Sequence, residues 1–148
     1  MRGRMLRRAR GERGQALIET AFTFPLILLV CISIFEFGRA YQHWQVLTNA
    51  AREGARMAAL PGTTNTDITT RVRNYLAAGM LETPADATVA IDRTVTISVG
   101  ASTRPASRVT VSYPFEFIVL QPIARMVSSG ATVGAPITIT TTATMRSE

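Results

Sequence analysis

Gly14-Gln15-Ala16-Leu17-Ile18-Glu19 sets a glycine five residues before a carboxylate at the edge of an apolar run, and no charge follows from Ala21 to Phe35. Hydrolysis of the bond between Gly14 and Gln15 would leave an α-ammonium on Gln15, four residues before Glu19. In a helix, positions i and i+4 are neighbours on one face. The new cation then has a partner in Glu19, a carboxylate that is expensive to hold alone in lipid. Pairing within one subunit, or between adjacent subunits, would offset that desolvation and couple assembly to membrane exit. Glycine suits the cut site because a membrane peptidase must bring its catalytic groups close to an extended backbone.

Little else in the chain suggests chemistry. His43 is the only histidine and follows the apolar run beside Tyr41 and Trp44, which reads as interfacial aromatic anchoring with a solvated imidazole. Cys31 is the only cysteine, so it forms no internal disulfide and supplies no metal cluster. Asp67, Glu82, Asp86, Asp92 and Glu116 are scattered. No phosphate loop, paired ligand motif or nucleophile with a base is readable, and no cofactor, metal or small-molecule substrate is expected. The chain reads as the substrate of an enzyme and not as an enzyme.

The elements that must position the N-terminal residues follow from length and charge. A chain of 148 residues is one ordinary domain, and its net charge of +6 raises the question of a nucleic-acid partner. Residues 1–14, with Arg2, Arg4, Arg7, Arg8, Arg10 and Arg13 against Glu12, carry five of those six charges. The remaining body is close to neutral and offers no basic face for phosphates, so no nucleic acid is expected. The 15 uncharged residues from Ala21 to Phe35 would cover ~22 Å against the ~30 Å of a hydrocarbon core. Spanning therefore recruits Ala16–Ile18 and Phe37–Ala40, with Glu36 at headgroup level. Arginines are denser before the span than after it, where Arg39, Arg52 and Arg56 follow, which places the N-terminus in the cytoplasm and the rest outside.

Three other readings of this N-terminus compete. A cleaved secretory signal would use Gly38-Arg39-Ala40, which has an arginine between its small residues. A lipoprotein signal at Cys31 has Val30 where a small residue is needed, and Arg7-Arg8 lacks the rest of a twin-arginine motif. A plain uncleaved anchor leaves the spacing of Gly14 and Glu19 without a reason.

Helical periodicity continues past the span through Ala40, Trp44, Leu47, Ala51, Gly54 or Ala55 and Ala58. One helix from Ala16 to Leu60 is predicted, kinked at Pro25 and stopped by Pro61-Gly62. Ala51 with Ala55, and Gly54 with Ala58, are small-residue pairs that admit a close backbone. Their partner is either the protein's own sheet or another subunit. Arg13 to Glu19, the apolar run, Phe35-Glu36-Phe37-Gly38-Arg39-Ala40 and Thr48-Asn49-Ala50-Ala51-Arg52-Glu53-Gly54-Ala55-Arg56 resemble the TadE-like proteins of the Tad (Flp) pilus system. The match is close over residues 13–59; Thr20 stands where the family carries tyrosine or phenylalanine. The resemblance implies a minor pilin or pseudopilin, cut after Gly14 by a prepilin peptidase, whose partners are other pilins, Tad inner-membrane assembly proteins and the lipid bilayer. It implies a single-pass protein of the bacterial inner membrane, incorporated in the pilus or serving its assembly.

Residues 63–148 read as a small α+β head. A second helix is predicted at about 67–78, with Thr66-Asp67 at its start and Gly79 as its left-handed stop. Thr88 to Val99 alternates as strand, with Asp92-Arg93 as a possible break. Gly100–Ser107 reads as a polar loop, Val109 to Tyr113 as the second hairpin arm, and Pro114–Gly130 as a crossover with one short helix at most. Pro136 to Met145 is the last strand, completing a pilin-like sheet of three to four antiparallel strands on the projecting helix. The expected organisation is a cleaved leader at 1–14, a transmembrane helix at 15–40, its amphipathic continuation at 41–60 and the head at 63–148. The alternative class is a permanently anchored envelope protein whose head binds a partner; a cleaved secreted hydrolase would need a catalytic set that is not readable.

Overall fold

The computed structural model describes residues 5–100 and 102–147. Arg2 and Arg4 of the basic arm lie outside the described residues. One helix, α1 (Met5–Ala58), runs for 54 residues, ~81 Å at the usual rise. It starts earlier than Ala16 because proline is absent between Met5 and Gly14 and the arginines, alanine and leucine there are good helix formers that outweigh Gly11. It passes through Pro25 without interruption, leaving the carbonyl of Ala21 without its usual amide donor.

The helix ends at Ala58, short of Leu60, because side chains take over its last carbonyls. Thr63 Oγ1 donates to Met57 O at 2.8 Å and Leu60 O at 2.6 Å, and Ser107 Oγ from the sheet donates to Ala58 O at 3.1 Å. The turn is completed by Gly62 at φ +82°.

The second helix, α2 (Asn65–Ala78), begins two residues before the predicted start, since its cap is Thr64 and not Thr66. Thr64 Oγ1 accepts from Asp67 N at 3.2 Å and Asp67 Oδ2 accepts from Thr64 N at 3.0 Å, a reciprocal capping box. That pairing holds the Asp67 carboxyl below its ordinary range. Gly79 is not the left-handed stop. Its φ is −80°, and Met80 takes the positive φ of 61° instead. Gly79 is glycine for another reason: a Cβ there would run into Val46 of α1.

A three-stranded antiparallel sheet follows in the order β1 (Thr88–Val99), β2 (Ser102–Phe115), β3 (Ile137–Arg146). Asp92-Arg93 does not split β1; it makes a bulge between Asp92 and Val95, and Asp92 Oδ1 accepts from Thr94 N at 2.9 Å to hold it. Most of the predicted Gly100–Ser107 loop is strand. Val99 pairs with Ser102, so the turn is two residues long, with Gly100 at φ +62°. Proline is tolerated in this central strand because Pro105 and Pro114 flank the stretch from Ala106 to Ser112 that is paired on both sides. The crossover carries one helix, α3 (Leu120–Val127).

α1 and α2 cover one face of the sheet. The core joins Leu47, Ala50, Ala51, Ala55 and Ala58 of α1 to Ile68, Val72 and Leu76 of α2 and to Val109, Val111 and Tyr113 of β2. The other face is polar, with Thr110 and Thr142 hydroxyls 3.1 Å apart and Ser112 and Thr140 hydroxyls 3.0 Å apart. Gly54 sets the spacing of the layers, because a Cβ there would stand 2.7 Å from Val72 Cγ2 and 3.2 Å from Val109 Cγ1. Glu53, beside it, ties the helices together by accepting from Arg56 at 3.1 Å and from Arg71 at 3.0 Å. These two guanidinium groups hold the Glu53 carboxyl below its ordinary value.

Gly54→Leu is expected to destabilise the head by about 1–3 kcal/mol through overpacking. Thermal unfolding of the detergent-solubilised full chain by circular dichroism measures this, and an unchanged midpoint would contradict the close approach of α1, α2 and β2.

Candidate functional site

Gly14, Gln15 and Glu19 all lie on the exposed surface of α1. Gln15 and Glu19 are four residues apart in continuous helix, on one face. A Cβ on Gly14 would meet nothing within 4 Å, so the fold itself has no use for glycine there, in contrast to Gly54 and Gly79. The bond after Gly14 is helical and not extended. Glycine lowers the cost of unwinding that turn, by about 0.5–1 kcal/mol relative to alanine.

From Gly14 to Phe35 the helix exposes large apolar side chains, among them Leu17, Phe22, Phe24, Leu26, Ile34 and Phe35. Two of its three hydroxyls are satisfied internally: Thr20 Oγ1 donates to Ala16 O and Ser33 Oγ to Leu29 O, both at 2.8 Å. The helix is long and apolar enough to cross a membrane.

At Glu36 this changes. The sequence places Glu36 among headgroups, whereas its side chain is 1% exposed. The segment entering α3 covers it. Glu36 Oε1 accepts from Val119 N at 2.6 Å, and Glu36 Oε2 stands 3.8 Å from Arg39 Nη1. Arg39 donates to Glu116 O and lies over the Phe115 ring, 4.8 Å from its centroid. Phe37 meets Phe117 edge-on at 6.1 Å. A charged clasp thus joins α1 to the crossover 80 residues later. Sequence reasoning missed it because Glu36 and Arg39 read as boundary charges. Their i, i+3 spacing, opposite the aromatic run Phe115-Glu116-Phe117, was the available signal.

His43, one further turn along, also departs from expectation. It is half-buried and packs its ring against Phe115 at 5.2 Å and Tyr113 at 5.8 Å, while Tyr41 and Trp44 pair with each other at 5.7 Å on the exposed side. The reason is periodicity: Glu36, Arg39 and His43 share the face that meets the crossover. Burial, then the Arg39 charge, push the His43 pKa below 6.5, with Glu82 opposing. A cleft of about 520 Å³ opens here, lined by Arg39, His43, Glu82, Asp86, Tyr113 and Gln121 among others. Its lining holds neither serine nor cysteine, and its Thr83 hydroxyl is engaged by Tyr113 Oη at 3.2 Å. Among the described residues no cluster of three histidine, cysteine or acidic side chains could hold a metal. The structure places Ala51, Gly54, Ala55 and Ala58 inside the head, against its own α2 and sheet.

The family model described as TadE-like protein matches residues 14–56, from the exposed Gly14 through the apolar helix to the small-residue face. That segment is TadE-like, and it suggests a protein associated with the Tad pilus. No curated protein and no solved structure gives a significant match.

Two outcomes test the clasp. Glu36→Ala strands the Val119 amide and leaves Arg39 without its counter-charge, at an expected cost of about 1–3 kcal/mol; trypsin should then cut at Arg125 faster than in the parent, with Glu36→Gln intermediate. Equal cutting rates would show that the clasp does not hold α3. For His43, the depressed pKa means that the unfolded chain binds the proton more readily, so stability is full above pH 6.5 and is lost as pH falls from there towards the folded value. The unfolding midpoint should drop as pH falls below 6.5, and His43→Phe should flatten the drop.

Proposed function

We propose that the chain is a minor pilin or pseudopilin of Tad type, processed between Gly14 and Gln15 and working through helix contacts without catalysis of its own. What carries this reading is Gly14: a glycine that its own fold does not require, at the start of the TadE-like match and five residues before Glu19. Such a residue serves a partner that approaches the backbone. A prepilin peptidase fits, and the low helix propensity of glycine helps it unwind the turn. The basic residues of the arm then act as the topogenic charge that keeps the N-terminus cytoplasmic and the head outside. After cleavage the Gln15 ammonium and Glu19 form a pair on one helix face, available to a neighbouring subunit in the bilayer.

The apolar surface supports a bilayer segment that ends near Phe35, one turn earlier than the 15–40 span read from the sequence. Leu17 to Phe35 gives 19 residues and ~28 Å, close to the ~30 Å hydrocarbon thickness. With Ala51, Gly54, Ala55 and Ala58 used inside the head, the surface left for other pilins and for Tad assembly proteins is the exposed helix before Glu36.

Mass spectrometry of the full chain co-expressed with a Tad-type peptidase is expected to find Gln15 at the N-terminus, and Gly14→Ala to slow that cut. Recovery of an uncut arm from the parent chain would favour the permanently anchored envelope protein. Glu19→Ala is expected to leave cleavage intact while reducing pili on the cell surface, and normal piliation would remove the assembly role given to Glu19.

A further inference from the structure

The head concentrates its uncovered apolar surface on the crossover between β2 and β3. α3 turns Leu120, Ile123 and Ala124 partly inward, yet none of its residues is fully buried, and Met126 and Val127 are each 87% exposed. Ile118 before it and Val133 after it are exposed as well. An eight-residue helix is too short to be stable in water by itself, so something beyond local propensity keeps it.

Its position along α1 is set by the clasp, with Val119 N bonded to Glu36 Oε1 at 2.6 Å. Exposure along the same face of α1 falls towards that bond: Leu29 is 39% exposed, Ile32 and Ser33 are half-buried, and Glu36 is buried. Phe35, off that face, stays 73% exposed. α3 also touches α1. It therefore stands beside the last turns of the apolar run and not at the far end of the head. No acidic residue occurs from Phe117 to Ser147 and Arg125 lies exposed in the last turn of α3, while the nearby acids Glu82, Asp86 and Glu116 line the cleft at the start of that helix, beside Ile118 and Gln121.

We infer that α3, with Ile118 and Val119, is a second membrane contact: a short interfacial helix that lays Met126 and Val127 into the headgroup and acyl boundary of the leaflet where α1 emerges. The inference rests on the reading of α1 as a bilayer anchor. Lipid is the occupant because this surface continues the exposed apolar surface of α1 at the same level, and Arg125 offers lipid phosphates a cation. The clasp supplies the tether that a helix this short needs, since α1 holds it at the interface before any lipid contact forms. Insertion would also fix the rotation of the head about α1.

The test uses the full chain in phosphatidylcholine and phosphatidylglycerol vesicles whose acyl chains are brominated, with Trp44→Phe removing the single native tryptophan. A Met126→Trp reporter is expected to lose fluorescence to the same extent as a Phe35→Trp reporter in the anchor, while a Thr142→Trp reporter on the polar sheet face keeps its emission. Val127→Trp provides a second α3 reporter if the first misfolds by circular dichroism. Quenching at Phe35→Trp with none at either α3 position overturns the inference and leaves the anchor standing. A blue-shifted but unquenched α3 reporter also overturns it, by showing that protein covers the patch. Loss of quenching at Phe35→Trp as well removes the bilayer anchor, and the inference with it.

Discussion

An α-helix can pass from lipid into a protein core without a break, because its backbone hydrogen bonds are internal and only its side chains must change surroundings. α1, which is long and apolar enough to cross a membrane, changes from an exposed apolar surface to a core-packed one within about one turn at Glu36. Before it, the helix is a rod of exposed leucine, isoleucine and phenylalanine, with the Thr20 and Ser33 hydroxyls tied back to its own carbonyls. After it, the helix is the longest element of a small core. The rest of the head is arranged around this one continuous segment, and the clasp at Glu36 marks where the change occurs.

Small residues make the second half possible. Ala50, Ala51, Gly54, Ala55 and Ala58 let α1 lie close to α2 and β2, so branched side chains from Ile68, Val72 and Val109 fill the space that larger helix residues would need. The same approach brings Glu53 within reach of Arg71, joining two helices through one carboxylate. It also brings Ser107 to the carbonyl of Ala58, so the sheet helps to end the helix it packs on. None of these contacts needs a ligand or a second chain.

Periodicity exposed the large elements in the sequence: α1, α2, the β1–β2 hairpin and β3 all follow from spacing that physics ties to helix or strand. One error is local and the rest fall where a tertiary partner overrides a local signal. Thr64 outcompetes Thr66 as a cap because Asp67 lies three residues after it and completes a reciprocal pair. Pro105 looked like a loop residue, but β3 ends opposite Ala106 and leaves that edge of β2 free of a second ladder. Glu36 and His43 read as solvated boundary residues because the segment that covers them lies 80 residues away, and no local pattern announces it. The roles proposed for Gly14 and Glu19 rest on spacing alone and on no contact within the fold.

The order of the strands has a consequence for how the head reaches its final form. β3 supplies Ile139 and Ala143 to the core and pairs along β2 up to Ala106 opposite Arg146, and that pairing closes the far end of the loop carrying α3. A chain delivered from its N-terminus can therefore form α1, α2 and the hairpin early, but it cannot seal the sheet until residue 146 has arrived. The clasp, whose residues all precede β3, needs no such wait, whereas the sheet closes last.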